Sequence, residues 1–306
     1  MGRDTNLCES RPHFFCIGPG SSGTTWIADH LKLQRDVWLP PIQELGYLNA
    51  GFEGFRDTKH LDLAWDWWNV VKRVVRNKGF SLKHDQQFYA YARQLAEVPN
   101  SERDLELYRK LFEPAGERIT GDITPSYAEL EVEQIKRFSP VLRRAKVFMI
   151  ARDPVERFWS AVSMYWRDKV FGDVDYGSFD FIRSVFREQE KQNFLSQIAA
   201  RWREGLGEHR VQIFYFDDLT ERPAHFYKEM VAFIGADPKK RIPMISTAYN
   251  RKAGQPKIEV CPEVRQWVRD AFANELRACA KLFGEHGERW RRRHEQTLRG
   301  PALLPR

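Results

Sequence analysis

The chain has few cysteines, no long apolar run and no block of like charge, and each absence removes a class of function. Its four cysteines, Cys8, Cys16, Cys261 and Cys279, show neither the paired spacing of a metal site nor a disulfide framework. Cys16 falls inside an apolar run and reads as an inert core thiol. No His/Cys/carboxylate cluster has ligand spacing, so no metal is expected. No apolar stretch reaches transmembrane length, and the start, "MGRDTNLCESRPH", lacks the apolar centre of a signal peptide. The expectation is a cytoplasmic protein in a reducing compartment. A net charge of +7 suits an anionic ligand, but it is dispersed along the chain. Its densest patch, "RWRRRH" from Arg289 to His294, reads as a solvated last helix. The alternative is a nucleic-acid or membrane contact; no nucleic-acid partner is expected.

What is present is an alternation of strand and helix patterns. Strand-like runs occur at His13 to Ile17, Lys146 to Ala151 and Arg210 to Phe216, with weaker ones at Arg118 to Thr120 and Asp36 to Pro40. Helical periodicity marks Thr24 to Leu33, Leu61 to Asn77, Ser101 to Phe112, Leu130 to Phe138 and Val155 to Asp168. It returns at Phe194 to Glu204, Pro223 to Ile234 and Pro262 to Phe283. This rhythm predicts an α/β fold with a central, mainly parallel sheet flanked by helices. A single domain spanning residues 1–306 is the simplest organisation. It is interrupted at about 51–98 by an aromatic-rich helical insertion carrying Trp65, Trp67, Trp68, Phe88, Tyr89 and Tyr91. Those aromatics suit ordinary packing, or the wall of an acceptor pocket over the sheet's carboxyl end.

The stretch "FFCIGPGSSGTTWIADHL", Phe14 to Leu31, carries the sharpest signal. Gly18 and Gly23 have the spacing of a phosphate-cradling loop, G-x-x-x-x-G-K-[ST], set between a strand and a helix. Such a loop turns its N–H groups, and the positive end of the helix, toward an anion. Yet Thr24 stands where that pattern has its lysine, the clamp of β- and γ-phosphates. The cradle therefore suits something other than a triphosphate.

Two motifs resemble those of sulfotransferases that use 3′-phosphoadenosine-5′-phosphosulfate (PAPS). "SSGTTW", Ser21 to Trp26, is similar to their 5′-phosphosulfate loop, and "RDPVERFWS", Arg152 to Ser160, to their 3′-phosphate segment. "PPIQELGYL" (Pro40 to Leu48), "GDITPSY" (Gly121 to Tyr127) and "FDDLTERPAHFYKEMVAFIG" (Phe216 to Gly235) extend the resemblance, in order, over nearly the whole chain. It implies a sulfotransferase fold related to P-loop NTPases and transfer of sulfonate to a hydroxyl or amine of a small-molecule or carbohydrate acceptor. By the same match, Gly20, Ser21, Ser22, Gly23, Thr24 and Thr25 hold the 5′ end of PAPS. Arg152 and Ser160 hold its 3′-phosphate, and Glu44 is the base that takes the acceptor's proton. Trp26 matches a tryptophan that stacks on adenine, with core packing as the alternative. "NRKAGQPK" resembles a late loop closing over the 3′-phosphate through Arg251, Lys252 and Gly254, with a solvated basic turn as the alternative. Glu44 has a structural alternative too, as an acceptor for helix or loop donors. His84 is a second candidate base, or else a surface helix histidine.

The chain departs from the family at its cations. Ser21, Gln43 and Ile123 stand where the family has lysines, and Gly46 where it has a histidine. The expectation is replacement by cations from elsewhere, Lys252 or Arg251 among them. Two other functions compete: a nucleotide or small-molecule kinase, and a nucleotide-binding protein without catalysis. A kinase needs magnesium ligands and a loop lysine, neither of which the sequence displays.

Overall fold

The computed structural model describes residues 11–49, 82–98, 104–240, 242 and 258–296. Five strands form one all-parallel sheet: β1 (Phe14–Cys16), β2 (Val37–Trp38), β3 (Ile119–Ile123), β4 (Lys146–Ala151) and β5 (Val211–Tyr215), in the order β2-β3-β1-β4-β5. Alternate side chains of β1 and β4 enter two cores. Phe15, Val147 and Met149 face one, and Phe14, Cys16, Phe148 and Ile150 face the other. Burial on both faces is why these runs are continuously apolar rather than alternating. It also raises the Cys16 thiol's pKa to about 12, which keeps it inert.

The expected helices among the described residues fall near their places, while those over Phe179–Glu188 and Glu190–Asn193 are additional to the expectation. The helices include α1 (Thr24–Leu31), α2 (Leu82–Glu97), α3 (Leu105–Lys110), α4 (Val132–Leu142) and α5 (Pro154–Arg167). After them come α6 (Phe179–Glu188), the short α7 (Glu190–Asn193), α8 (Leu195–Leu206), α9 (Phe216–Glu221) and α10 (Pro223–Phe233). The long pattern from Pro262 divides at Phe272 into α11 (Pro262–Ala271) and α12 (Ala273–Leu282), followed by α13 (Gly284–Gln296). The expected helix at Leu61 to Asn77, with Trp65, Trp67 and Trp68, lies outside the described residues. Phe88 and Tyr89 of α2 are buried, Phe88 at 6.1 Å from the Trp38 ring, so these two serve packing.

β3 runs further than its sequence suggests, through Gly121 and Asp122, residues that strands disfavour. Tertiary contacts override that preference. The Asp122 carboxylate accepts hydrogen bonds from Tyr108 (2.6 Å), Tyr127 (2.8 Å) and Thr124 (2.6 Å) hydroxyls. Burial raises its pKa, against the pull of the three hydroxyls.

Gly18, at the exit of β1, shows how tightly this end of the sheet is built. Its φ is +90°, and a Cβ there would stand 2.5 Å from the Pro125 carbonyl oxygen. Gly18→Ala is expected to lose about 1–3 kcal/mol through backbone strain and overpacking. Chemical denaturation checks this; an unchanged midpoint would mean that the two segments move apart at no cost.

Candidate active site

β1 and β4 are parallel neighbours, so the segments leaving their carboxyl ends emerge side by side. One is the glycine-rich loop leading into α1; the other is Arg152–Asp153, leading into α5. Arg152 Nη1 donates to the Ser21 carbonyl at 2.6 Å, and the guanidinium lies 4.3 Å from the Phe216 ring centroid. Ser21 and Arg152, 131 positions apart, are brought together by topology alone.

The loop is held from beneath as well. Gly20 N–H donates to Gln192 Oε1 at 2.9 Å, while Gln192 Nε2 donates to Glu129 Oε1. Arg157, fully buried, donates to the Gly20 carbonyl at 3.4 Å, to Gln189 Oε1 at 3.2 Å and to Asn193 Oδ1. Burial, and then the neighbouring Arg152, lower its pKa to about 10, which still leaves it charged at neutral pH. The structure thus places two arginines against a loop that lacks a lysine.

Within the loop, Gly23 is the N-cap of α1 at φ 92°, with no side-chain cap and no acidic residue in the first turn. Ser22 Oγ is buried and has no hydrogen-bond partner among the described residues. Thr24 is buried, and Thr25 is exposed. Ser21 adopts φ 61° and Glu44 φ 59°, a region that costs non-glycine residues on the order of 1–3 kcal/mol and that clusters at functional sites. Two side chains singled out from sequence therefore sit on left-handed backbone.

Glu44 is exposed, on the segment that packs over the carboxyl end of β3. That segment is tied down by Gly46 N–H to Thr124 Oγ1 (3.4 Å), Leu48 N–H to the Tyr127 hydroxyl (3.4 Å) and Asn49 Nδ2 to Ser126 Oγ (2.6 Å). Beside it lies a small open cleft lined by Ala28, Lys32, Gln43, Glu44, Asp122 and Ile123 among others.

Two expectations change, and a third falls outside the described residues. Trp26 is buried, 3.6 Å between ring centroids from His30 and edge-on to Phe226 and Tyr227, so it packs the core and offers no face to a nucleotide. "RWRRRH" is not simply a solvated face: much of it pins α13 inward. Trp290 Nε1 donates to Asp217 Oδ2 at 2.6 Å, and Arg289 Nη1 to Glu221 Oε1 at 2.9 Å. Arg293 Nη1 donates to Asp153 Oδ2 at 3.1 Å, and His294 Nε2 stands 2.9 Å from the same oxygen. Asp153 also caps α5 by accepting from Val155 and Glu156 N–H groups. The expected late loop with Arg251, Lys252 and Gly254 lies outside the described residues; among the described residues Arg152 and Arg157 donate to loop carbonyls. His84 lies on α2. Sequence reasoning missed Arg157 and the Asp153–His294 contact. The one available signal was a second arginine within the otherwise apolar stripe of "PVERFW".

Among the described residues no helix is long and apolar enough to cross a membrane, and no group of three His, Cys, Asp or Glu residues is arranged to hold a metal. Comparison with known structures finds a crystallised sulfotransferase from Alicyclobacillus acidocaldarius at TM-score 0.61 and 18% identity, covering 92% of this chain and 99% of that one. At that identity the likeness speaks to the fold. A sulfotransferase domain from the curacin biosynthetic pathway is more distant, at TM-score 0.49 and 14% identity over 85% of this chain and 96% of that one. No curated protein matches. Residues 12–239 match the model of the sulfotransferase family, well over half of the chain. The chain belongs to the sulfotransferase family.

Proposed function

We propose that this protein transfers a sulfonate group from PAPS to a hydroxyl or amine of a small-molecule or carbohydrate acceptor. The observation that carries the reading is the meeting of the glycine-rich loop with Arg152, joined by the Arg152–Ser21 contact at adjacent strand ends. The residues present fit an anionic nucleotide. A helix start without its own side-chain cap leaves N–H donors to an outside acceptor. The leftover Ser22 hydroxyl adds another donor at the same place.

When bound, PAPS supplies an activated sulfonate with a phosphate as its leaving group. Gly20 to Thr25 would hold its 5′ end, and Arg152 and Ser160 its 3′-phosphate. Arg152 brings a planar charged fork, and Ser160 stands in the second turn of α5. Glu44, an exposed carboxylate at the cleft, would accept the acceptor's proton. Arg157 contributes positive potential from beneath the loop, where the family's lysine is missing, and holds Gly20 in position.

The test is calorimetry with two nucleotides. Adenosine 3′,5′-bisphosphate is expected to bind much more tightly than AMP, and Arg152→Ala to remove most of that preference, about 1.5–3 kcal/mol. Equal affinities in the unmodified protein would sink the donor assignment. Stronger thermal protection by ATP than by the bisphosphate would favour the kinase reading.

A further inference from the structure

Three hydroxyl groups donate to the buried Asp122 carboxylate, and each belongs to a residue that also touches the segment carrying Glu44. Thr124 Oγ1 donates to Asp122 Oδ1 and accepts from the Gly46 N–H at 3.4 Å. The Tyr127 hydroxyl donates to Asp122 Oδ2 and accepts from the Leu48 N–H at 3.4 Å. Tyr108, the third donor, stacks on Tyr47 with ring centroids 4.8 Å apart. Gly46, Tyr47 and Leu48 are consecutive, and only Leu45 separates them from Glu44.

A carboxylate gives this arrangement a direction. A hydroxyl carries one proton and two lone pairs, so it can face either way, whereas an ionised carboxylate only accepts. Facing Asp122, Thr124 and Tyr127 point their protons at it, which turns their lone pairs to the Gly46 and Leu48 N–H groups. Burial, and then the Asp122 charge, hold the Tyr108 and Tyr127 hydroxyls well above the usual tyrosine pKa, so both keep the protons they donate. The backbone that receives this order is tightly turned. Glu44 has φ 59° and Gly46 φ 64°, so fixing Gly46 restricts where the Glu44 side chain points. The strand itself does not call for an aspartate, and a buried carboxylate is costly unless it is hydrogen-bonded.

We infer that Asp122 is a positioning residue for Glu44: by orienting the Thr124 and Tyr127 hydroxyls, it holds the Gly46–Leu48 backbone and so sets the base at the carboxyl end of the sheet. The inference rests on the reading of Glu44 as the base. It makes the reaction depend on a carboxylate that transfers no proton itself.

The test uses the full chain and Asp122→Asn, which keeps the shape. An amide offers an acceptor on one side and only donors on the other. If its oxygen takes the tyrosines, its N–H group faces Thr124; if it takes Thr124, its N–H group faces the tyrosines. Either way a hydroxyl that holds the segment loses its acceptor. Hydrogen exchange is followed by NMR on protein carrying isotope-labelled glycine and leucine. Gly46 and Leu48 amides are expected to exchange roughly fivefold or more faster, while the amides of β1 and β4 and the affinity for adenosine 3′,5′-bisphosphate stay unchanged. Thr124→Val should release Gly46 alone, and Tyr127→Phe Leu48 alone. Should the asparagine variant fail to fold, the double variant Thr124→Val/Tyr127→Phe decides, because it keeps Asp122 and cuts both links. On the acceptor used to test Glu44, Asp122→Asn should lower kcat roughly tenfold or more with little change in KM, and cost nothing further in a Glu44→Gln background. Normal turnover by Glu44→Gln would sink the reading of the base, while the exchange rates still judge Asp122. Unchanged exchange at Gly46 and Leu48, or kcat losses that add in the double variant, would overturn the inference.

Discussion

Glu44→Gln is expected to lower turnover by about 10²-fold or more while leaving nucleotide affinity unchanged. Glutamine keeps the shape and the hydrogen-bonding reach of the side chain but cannot take a proton from an attacking hydroxyl. The backbone sharpens the expectation. Glu44 sits at φ 59°, where glycine is favoured, so the position carries a conformational cost. Glu44→Gly should therefore be as stable as the natural protein, or more so, and equally impaired in turnover. Activity lost without stability lost is the signature of a residue retained for chemistry. Steady-state kinetics on a confirmed acceptor, with thermal melting of both variants, makes the check. Normal turnover by the glutamine variant would make Glu44 structural and turn attention to His84.

Arg157→Met is expected to destabilise the protein by about 2–4 kcal/mol and to weaken nucleotide binding at the same time. Arg157 is fully buried and its partners are amide and carbonyl oxygens: Gly20, Gln189 and Asn193. Methionine fills much of the volume but leaves those acceptors without donors. The gain from no longer burying a charge offsets part of the loss, which keeps the figure below the sum of three broken bonds. Arg157→Lys should rescue little, because a single ammonium cannot reproduce the planar fork that spans the loop and α7. Urea denaturation and calorimetry with the bisphosphate check both effects. A variant with unchanged midpoint and unchanged affinity would show that the loop is held without Arg157.

Much of the candidate site around the glycine-rich loop was legible because it is local. An apolar run, glycines at fixed spacing and an amphipathic stretch follow one another within Phe14 to Leu31, and they became β1, the loop and α1. "RDPVERFWS" likewise announced a strand end and a helix start, with Asp153 as cap and Pro154 in the first turn. The limits of local reading are as specific. Trp26 has the same helical periodicity whether it packs a core or faces a nucleotide. Only the arrival of Phe226 and Tyr227 from α10 decides for packing. The basic run in α13 looks solvated until Asp153, Asp217 and Glu221 are brought opposite it.

By itself, then, the sequence determined the α/β class, the order of the motifs and the loss of three family lysines. All of these are written in residue type and short-range spacing. Tertiary structure alone decided, among the described residues, which arginines meet the loop. Strand order sets β4 beside β1, and that places Arg152 on Ser21 across 131 residues and tucks Arg157 beneath Gly20. The same end of the sheet brings Lys32 of α1 and Glu44 of the following segment to one cleft. Charge acts through space with a reach set by distance and burial, and neither is a property of position along the chain.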